Sequence, residues 1–533
     1  MDTRWFGIAV ALALLAGLFF RFYNLDRKVF WDDEIYSALR VQGYTEALLV
    51  ERAAEFKTAG DLRAVLHSPR VPSARGALDT IAGLATEEPQ HAPLFYLLER
   101  LWTHVFGSSL FSMRFLPAIL GALALPAMYW LCLELFDSGR AAWLGAAFVA
   151  ISPVQVLYSQ EFREYSLWTV AILVMSALFL RAVRLMTPLA WGWFAATLTF
   201  CLYVSPLSAP IAGGYGIYVG LATTAPRRRR AFLPVLAYAI AFALFAPWLL
   251  QIAGHLHQID RGTELGVGPR IMLAQTARTF VAMFKFDFLD LNILNSASRN
   301  VLLAAPAAIF VLGALYVTWR FASTNVRGFI VTLMAANVLP VLALYLFSSA
   351  VTLSPVRFLL PFFLAVDLTL VVLFRTMIDG VGVSPARRRF WAAALVIVVG
   401  AKLTQCALSS QAVTWWNTLE QNSISIAQTV DRSQRPLLVD AGYLVYALAL
   451  SEYLKPDVPV ALFPSCYLCA GAPNREPGLA SLHPQRFSDV FLLDPRRDLR
   501  RQVQAATRSD SNHPHYLCID VFHSCASSLR LFL

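Results

Sequence analysis

Three consecutive acidic residues, Asp32, Asp33 and Glu34, follow a tryptophan shortly after the first hydrophobic segment of the chain. They belong to the stretch KVFWDDEIYSAL, residues 28–39, where a chain leaving a membrane would enter water. Acidic side chains do little to orient a membrane protein, and three adjacent like charges are costly to hold together. A carboxylate held beside lipid suits a general base. We therefore predict a functional stretch, and a solvated loop beside an interfacial tryptophan is the structural alternative.

A second group of polar residues lies in the stretch LYSQEFREYSLW, residues 157–168, between two hydrophobic segments. Arg163 stands in this stretch with Glu161 and Tyr165 on either side. The planar guanidinium of arginine binds carboxylates and phosphates through two parallel hydrogen bonds. The stretch therefore predicts an anion-binding site, and a charged pair at a helix end is the structural alternative.

Three basic residues outside these stretches are further candidates for binding an anion. His91 stands before Pro93 at the start of a short apolar segment, Arg357 precedes a long one, and Lys285 is a weaker candidate of the same kind. Acids and cations gathered beside lipid suit a substrate with a phosphate at the level of the headgroups and an apolar tail. In such a site the cations would stabilise the charge that develops on a leaving phosphate.

The composition indicates what kind of protein must position these residues. Of the 533 residues, 57% are hydrophobic and only 15% are charged, which is more apolar than an ordinary soluble domain. The apolar residues cluster in blocks of about 17–22, the length that spans a bilayer as a helix. The net charge of +10 arises largely in arginine runs between these blocks, such as 227–230 and 387–389. This pattern follows the positive-inside rule, so we predict a polytopic α-helical membrane protein with no nucleic-acid partner.

Eleven hydrophobic segments predict transmembrane helices. We expect the first to be a retained helix, because it lacks the small-residue cleavage site of a signal peptide. The predicted spans are 5–22, 113–135, 140–158, 164–182, 188–203, 206–223, 231–252, 299–319, 328–349, 358–377 and 389–407.

One further segment, residues 91–107, decides the predicted topology. It is apolar but short, and it carries Glu99, Arg100 and His104. If it lies in the membrane interface as an amphipathic helix, the later arginine runs fall on the same side as Arg4, the cytoplasm. If it spans the membrane, those arginines fall outside. We therefore predict an interfacial helix, about 11–13 transmembrane helices, a cytoplasmic N-terminus and an external C-terminus.

The predicted domain limits are 1–410 for a transmembrane catalytic domain and 411–533 for a small soluble α/β domain on the outer face. Short apolar runs bounded by proline and aspartate predict strands around a helix in the second domain. The first external loop covers about residues 23–112, and within it 45–68 predicts one or two interfacial helices. A further amphipathic piece is predicted at 270–286.

The seven cysteines fall into two groups. Cys132, Cys201 and Cys406 lie inside predicted spans and are expected to be small packing residues. The other four lie in the predicted external domain, where oxidising conditions favour two disulfides over a zinc site; they are Cys466, Cys469, Cys518 and Cys525.

These motifs, in their order along the chain, make it resemble a known family. FWDDEIYSAL, then HAPLFYLLERLWTHVFGSSLFSMRFLPAILGAL, then SPVQVLYSQEFREYSLW and RFLLP are similar to the bacterial GT-C glycosyltransferases. These are relatives of the protein O-mannosyltransferases and of the transferases that attach aminoarabinose to lipid A. The likeness covers residues 5–250 well and the later helices more loosely.

The resemblance implies a function and a location. Such enzymes transfer a sugar, with inversion, from a polyprenyl-phosphate donor to a lipid, glycan or protein acceptor. They act on the periplasmic face of the bacterial inner membrane, among membrane lipids. The alternative is a transporter or flippase of lipid-linked sugars, although transporters place ionisable residues near the midplane and often show paired halves.

The resemblance also implies roles for individual residues. Asp33 and Glu34 match the acidic motif of the family, so Asp33 is the expected base and Asp32 an additional acid. His91 corresponds to a basic residue that contacts the donor phosphate, and Arg163 and Tyr165 match an arginine and tyrosine of the second motif. The aminoarabinose enzymes have an aspartate where this chain has Tyr165, and Glu161 is the nearby acid that could replace it. No cofactor is expected, and a divalent cation on the acidic stretch is the alternative.

Overall fold

Apolar segments of the chain form helices in this computed structural model. It describes residues 3–67, 75–222, 232–256, 283–288, 290, 297–347, 355–414, 422–464, 466, 468, 482–493, 499, 501–502, 515–519 and 530–531. The first six helices are α1 (Thr3–Phe22), α2 (Asp32–Gln42), α3 (Glu46–Glu51), α4 (Ala59–His67), α5 (Ala77–Glu87) and α6 (Leu94–Phe106).

The next helices contain most of the apolar sequence. They are α7 (Leu110–Phe136), α8 (Gly139–Ala150), α9 (Pro153–Tyr158), α10 (Tyr165–Leu185), α11 (Pro188–Val204), α12 (Ser208–Ala222), α13 (Phe232–Gly254), α14 (Ala297–Phe321), α15 (Thr324–Phe347), α16 (Leu360–Asp379) and α17 (Pro385–Gln411). Within the described residues, eight helices are long and apolar enough to cross a membrane: α1, α7, α10 and α13 to α17. The prediction of a polytopic helical membrane protein is confirmed.

The predicted span at 140–158 is interrupted. The structure ends α8 at Ala150 and starts α9 at Pro153, so two short helices replace one. Ser152 separates them, and its hydroxyl accepts a hydrogen bond from the Gln155 backbone N–H. A proline is well tolerated at the first position of a helix, because its missing N–H would be unsatisfied there anyway. The hydrophobic pattern alone did not indicate this break.

One compact unit consists of residues 1–25, 90–95 and 114–412. Its apolar helices include α16, which is mostly buried along its length. A Cβ at Gly17 would overlap the backbone of Ala150, so glycine lets α1 approach the end of α8. Arg21 of α1 is fully buried there, and its guanidinium donates to four backbone carbonyls, those of Gly17, Gly121, Val149 and Ala150.

The second compact unit consists of residues 26–89, 96–113 and 413–533. It contains α18 (Ser423–Arg432), α19 (Leu444–Ser451) and the strands β1 (Pro436–Asp440), β2 (Val460–Leu462), β3 (Asp489–Leu493), β4 (His515–Ile519) and β5 (Arg530–Leu531). The strand order is β2-β1-β3-β4-β5, with every pair parallel except β4 and β5. This confirms the predicted small α/β fold near the C-terminus, while the predicted limits at 410 and 411 stay a prediction.

Residues distant in sequence are joined within this second unit. The Arg63 guanidinium of α4 donates to the Ser451 carbonyl, and the Phe30 N–H donates to the Tyr453 hydroxyl at 2.8 Å. The predicted interfacial segment 45–68 forms α3, a 3₁₀ turn at Ala53–Glu55 and α4. Most of the amphipathic piece predicted at 270–286 lies outside the described residues.

The structure also describes part of the cysteine prediction. Cys132, Cys201 and Cys406 are buried and free. Cys466 is disulfide-bonded. Cys469, Cys525 and the Cys518 side chain lie outside the described residues.

Candidate functional site

In the first unit, His91, Arg163 and Glu164 form one cluster. His91 lies three residues before α6, and the other two residues end the loop before α10. The His91 Nδ1 atom lies 3.0 Å from Glu164 Oε1, and Arg163 Nη2 lies 3.0 Å from His91 Nε2. Arg163 Nε is 3.5 Å from Glu164 Oε2. The structure therefore brings together two residues predicted for phosphate binding and adds a carboxylate that the sequence analysis did not select.

The partners of His91 determine its tautomer. A guanidinium can only donate hydrogen bonds, so Nε2 accepts from Arg163 and Nδ1–H donates to Glu164. Burial alone would raise the pKa of Glu164, but the charge of Arg163 and the contact with His91 lower it to about 2. Glu164 is therefore ionised at neutral pH and orients both basic side chains.

The loop that carries this cluster is fixed from both ends. The Gln160 amide donates to the carbonyls of Phe20 and Tyr23, at 2.7 and 2.8 Å. The Ser166 hydroxyl donates to the Tyr158 carbonyl at 3.1 Å. These bonds connect the loop to the end of α1 and to α9.

The predicted flanking residues Glu161 and Tyr165 are both buried. The Tyr165 ring packs edge-on against Tyr158, with 5.2 Å between the ring centroids, and Arg163 lies 6.0 Å from the centre of the Tyr165 ring. Tyr165 is thus a neighbour of Arg163, as predicted. The carboxylate in the described contacts with His91 is that of Glu164, the residue directly before α10.

Arg357 lies in a different element of the same unit, the 3₁₀ turn Pro355–Leu359 that leads into α16. The Asn337 side chain of α15 stabilises this turn. Its amide N–H donates to the Phe358 carbonyl and its amide oxygen accepts from the Phe362 N–H, both at 3.0 Å. The Arg357 guanidinium lies 5.2 Å from the centre of the Phe358 ring. Asn337 thus connects α15 to the turn that carries Arg357 and to the start of α16.

Lys285 lies in the helical turn 283–288 of the first unit. Its Nζ atom is 3.1 Å from Asp290 Oδ1, and both side chains are buried. Lys285 is therefore paired with a neighbouring carboxylate in this structure. Its role in phosphate binding stays a prediction.

The acidic stretch lies in the second unit, where it forms the first turn of α2. Asp32 and Asp33 are half-buried and Glu34 is buried. Asp32 Oδ1 accepts from the Asp33 N–H at 2.8 Å. Acidic side chains at this end of a helix interact favourably with its partial positive charge, which explains how three can be held there. Asp32 and Asp33 thus keep part of their surface exposed.

One buried arginine holds α2 in place. Arg40 lies two turns after Asp33, and its guanidinium contacts Glu87 and Glu88, each at 2.7 Å. Burial alone would lower the pKa of Arg40, but the two carboxylates raise it. Glu87 also accepts from the Glu46 N–H at 2.8 Å. Arg40 thus connects α2 to the end of α5 and the start of α3, and the sequence analysis missed this contact.

The described residues contain no group of three or more histidine, cysteine, aspartate or glutamate side chains that could hold a metal ion. A requirement for a divalent cation, or its absence, stays a prediction.

Residues 90–250 match the family model of dolichyl-phosphate-mannose-protein mannosyltransferases. The matched part contains His91, Glu161, Arg163 and Tyr165, but not the acidic stretch at 32–34. It covers less than half of the chain.

Solved structures resemble much more of the chain. ArnT from Cupriavidus metallidurans in its apo state has a TM-score of 0.52 and 12% identity, over 97% of this chain and 93% of that one. Its crystal structure with undecaprenyl phosphate has a TM-score of 0.51, also at 12% identity, over 86% of each chain. The chain has the GT-C fold. At this level of identity the likeness describes the GT-C fold and not the activity.

An oligosaccharyltransferase from Archaeoglobus fulgidus, tethered with an acceptor peptide, also shares the GT-C fold. It has a TM-score of 0.50 and 13% identity over 86% of this chain. The present chain spans only 64% of that protein's length. No curated protein sequence matches the chain.

Proposed function

We propose that the protein is an inverting glycosyltransferase that uses a polyprenyl-phosphate sugar on the outer face of the bacterial inner membrane. The observation that supports this most is the cluster of His91, Arg163 and Glu164, an anion-binding arrangement within the family-matched region of a membrane protein with the GT-C fold. The ArnT structure with undecaprenyl phosphate supports the lipid class of the donor.

In the proposed reaction, Asp33 takes a proton from the acceptor nucleophile. The nucleophile attacks the anomeric carbon from the face opposite the phosphate, and the bond between that carbon and the phosphate oxygen breaks. The leaving phosphate keeps the bonding electron pair, and Arg163, His91 and Arg357 stabilise its charge. A single displacement inverts the anomeric centre. The acceptor is a lipid, glycan or protein.

The contacts of His91 suit this role. Its Nε2 atom accepts from Arg163 in the present structure. The carboxylate of Glu164 on Nδ1 orients the imidazole, as carboxylates do for histidines in many catalytic sites. His91 and Glu164 would thus hold the Arg163 guanidinium where it can receive the leaving phosphate.

The test compares binding with transfer for Asp33→Asn. Binding is measured with undecaprenyl phosphate, and transfer with labelled polyprenyl-phosphate sugars extracted from the native strain onto its own envelope fraction. We expect Asp33→Asn to lose about 10³-fold in rate, typical of a lost general base, with binding unchanged. The control Asp32→Asn should lose less than about tenfold. A fully active Asp33→Asn variant would exclude this base, and a wild-type protein that neither binds nor consumes such lipids would exclude the function.

A further inference from the structure

A cluster of charges that the proposed reaction does not use lies inside the first unit. The Lys402 Nζ atom of α17 is 2.6 Å from Asp287 Oδ2 and 3.1 Å from Asp367 Oδ1 of α16. All three side chains are completely buried. Asp287 comes from the turn 283–288, so the cluster joins that turn to two long apolar helices.

Asp287 also connects the cluster to the break between α8 and α9. The Ser152 hydroxyl donates to Asp287 Oδ1 at 2.5 Å. The three preceding residues are held as well. The carbonyls of Val149 and Ala150 accept from Arg21, and the Ile151 carbonyl lies 3.5 Å from the Cys406 sulfur. The junction at 149–152 is therefore fixed by side chains from α1, α17 and the turn 283–288.

The same cluster restrains the segment that carries Lys285. The Gln405 side chain of α17 accepts a hydrogen bond from the Asp290 N–H at 2.6 Å. Asp290 in turn pairs with Lys285. Lys402 and Gln405, three residues apart on α17, thus contact the Asp287 side chain and the Asp290 backbone.

Buried charges of this kind contribute little net stability, because removing them from water costs much of the free energy that their attraction provides. Well-packed apolar residues often stabilise a protein equally well. Ionisable residues inside an apolar helix bundle are rare and usually mark function. The cluster makes two specific connections, to the start of α9 and to the turn 283–288. α9 leads directly into the loop with Arg163, and the turn carries Lys285. The cluster therefore acts most specifically on the positions of Arg163 and Lys285.

We propose that Asp287 and Lys402 are positioning residues for the donor-phosphate site. They fix the start of α9, and through it the loop of Arg163, together with the segment of Lys285. This inference rests on the proposed function, because it takes these cations as phosphate ligands. Asp367 completes the charge of the cluster, but it lies on α16 and makes no described contact with either connection.

The experiment exploits this difference between the two aspartates. Asp287→Asn and Asp367→Asn each remove one carboxylate from Lys402 at constant size. A merely structural cluster would respond to both alike. We expect Asp287→Asn to raise the Kd for undecaprenyl phosphate about five- to tenfold, and Asp367→Asn to change it less than twofold. The rate at saturating labelled donor should stay within about twofold of the wild type in both variants.

Thermal unfolding in detergent shows whether the variants are folded. If Asp287→Asn does not fold, Ser152→Ala decides, since it removes only the hydroxyl that joins α9 to Asp287. That variant should raise the Kd about threefold. The inference is overturned if the folded variants bind as the wild type does, or if Asp287→Asn and Asp367→Asn weaken binding equally. Either outcome leaves the proposed function intact as long as the wild type binds undecaprenyl phosphate and Asp33→Asn abolishes transfer.

Discussion

The two units position their candidate functional residues in different ways. In the second unit, the acids at the start of α2 are half-exposed, and a separate buried group, Arg40 with Glu87 and Glu88, holds the helix. In the first unit, His91, Arg163 and Glu164 contact one another, so they belong both to the candidate site and to the contacts that hold it, together with Gln160 and Ser166. Stability and chemistry are thus carried by different residues along α2, but they overlap in the residues around Arg163.

This comparison predicts which substitutions affect folding, which affect activity, and which affect both. In the second unit, substitution of Asp33 should reduce transfer with a much smaller loss of stability than substitution of Arg40, because the carboxylates that contact Arg40 are those of Glu87 and Glu88. In the first unit, each member of the cluster should affect both properties.

The largest loss of stability is expected for Arg40→Met. It leaves Glu87 and Glu88 buried without their cation, which should lower the free energy of unfolding by about 3–5 kcal/mol. Chemical unfolding followed by tryptophan fluorescence measures the effect. The control is Arg52→Met, which removes an exposed ion pair with Glu55 and should leave stability nearly unchanged. An Arg40→Met protein as stable as the wild type would show that α2 is held by other contacts.

A somewhat smaller effect, but on both properties, is expected for Glu164→Gln. The pKa of Glu164 is about 2 in the folded protein, below its ordinary value, so its contribution is present above about pH 4.5 and lost as the pH falls toward 2. At neutral pH the variant should lose about 3 kcal/mol of unfolding free energy and bind undecaprenyl phosphate more weakly. At pH 3 the difference in stability should shrink. A loss of stability with unchanged binding would show that Glu164 only stabilises the fold and does not contribute to phosphate binding.

Arg163→Lys separates charge from geometry in the same cluster. Lysine keeps the positive charge but lacks the planar fork that binds two oxygens at once. We expect about a tenfold rise in the Kd for undecaprenyl phosphate, equivalent to about 1.4 kcal/mol. The control Arg181→Lys changes an exposed arginine paired with Glu134 and should bind normally. Equal binding by the two variants would show that Arg163 contributes only charge.

The smallest effect, and the opposite sign, is expected for Glu99→Gln in α6. Neither Glu99 carboxyl oxygen has a hydrogen-bond partner among the residues that the structure describes. Burial raises the pKa of Glu99 well above its ordinary value. The folded protein therefore holds this proton more tightly than the unfolded chain does, and Glu99 lowers the free energy of unfolding as the pH rises from the unfolded-state pKa through the folded-state pKa. The variant should be more stable than the wild type, by about 1 kcal/mol, near pH 8 and not at pH 4. Unfolding at both pH values tests this, and a variant less stable at pH 8 would mean that Glu99 is ionised and paired.

Much of the fold could be predicted because the length and apolar character of each helix can be read from consecutive residues of the chain. The thickness of a bilayer sets the length of the apolar segments. Eight of the eleven predicted spans coincide with described helices that are long and apolar enough to cross a membrane, and the other three coincide with shorter helices. The break at Ser152 was missed because proline is an ambiguous signal. Pro117 and Pro126 lie inside α7 without ending it, whereas Pro153 begins a new helix. Only the bonds around residues 149–152 distinguish these cases.

The sequence by itself determined the class of protein and the residue types available for chemistry. Asp33, Glu34 and Arg163 could be selected from their residue types, because few other side chains remove protons or bind phosphate. Which residues pair was decided by the tertiary structure. Among the described contacts, the carboxylate beside His91 is that of Glu164, the residue directly before α10, and no pattern in the sequence indicated this pairing. Lys402 and Asp287, separated by 115 positions, meet only after the helices have packed, since such a contact leaves no pattern along the chain.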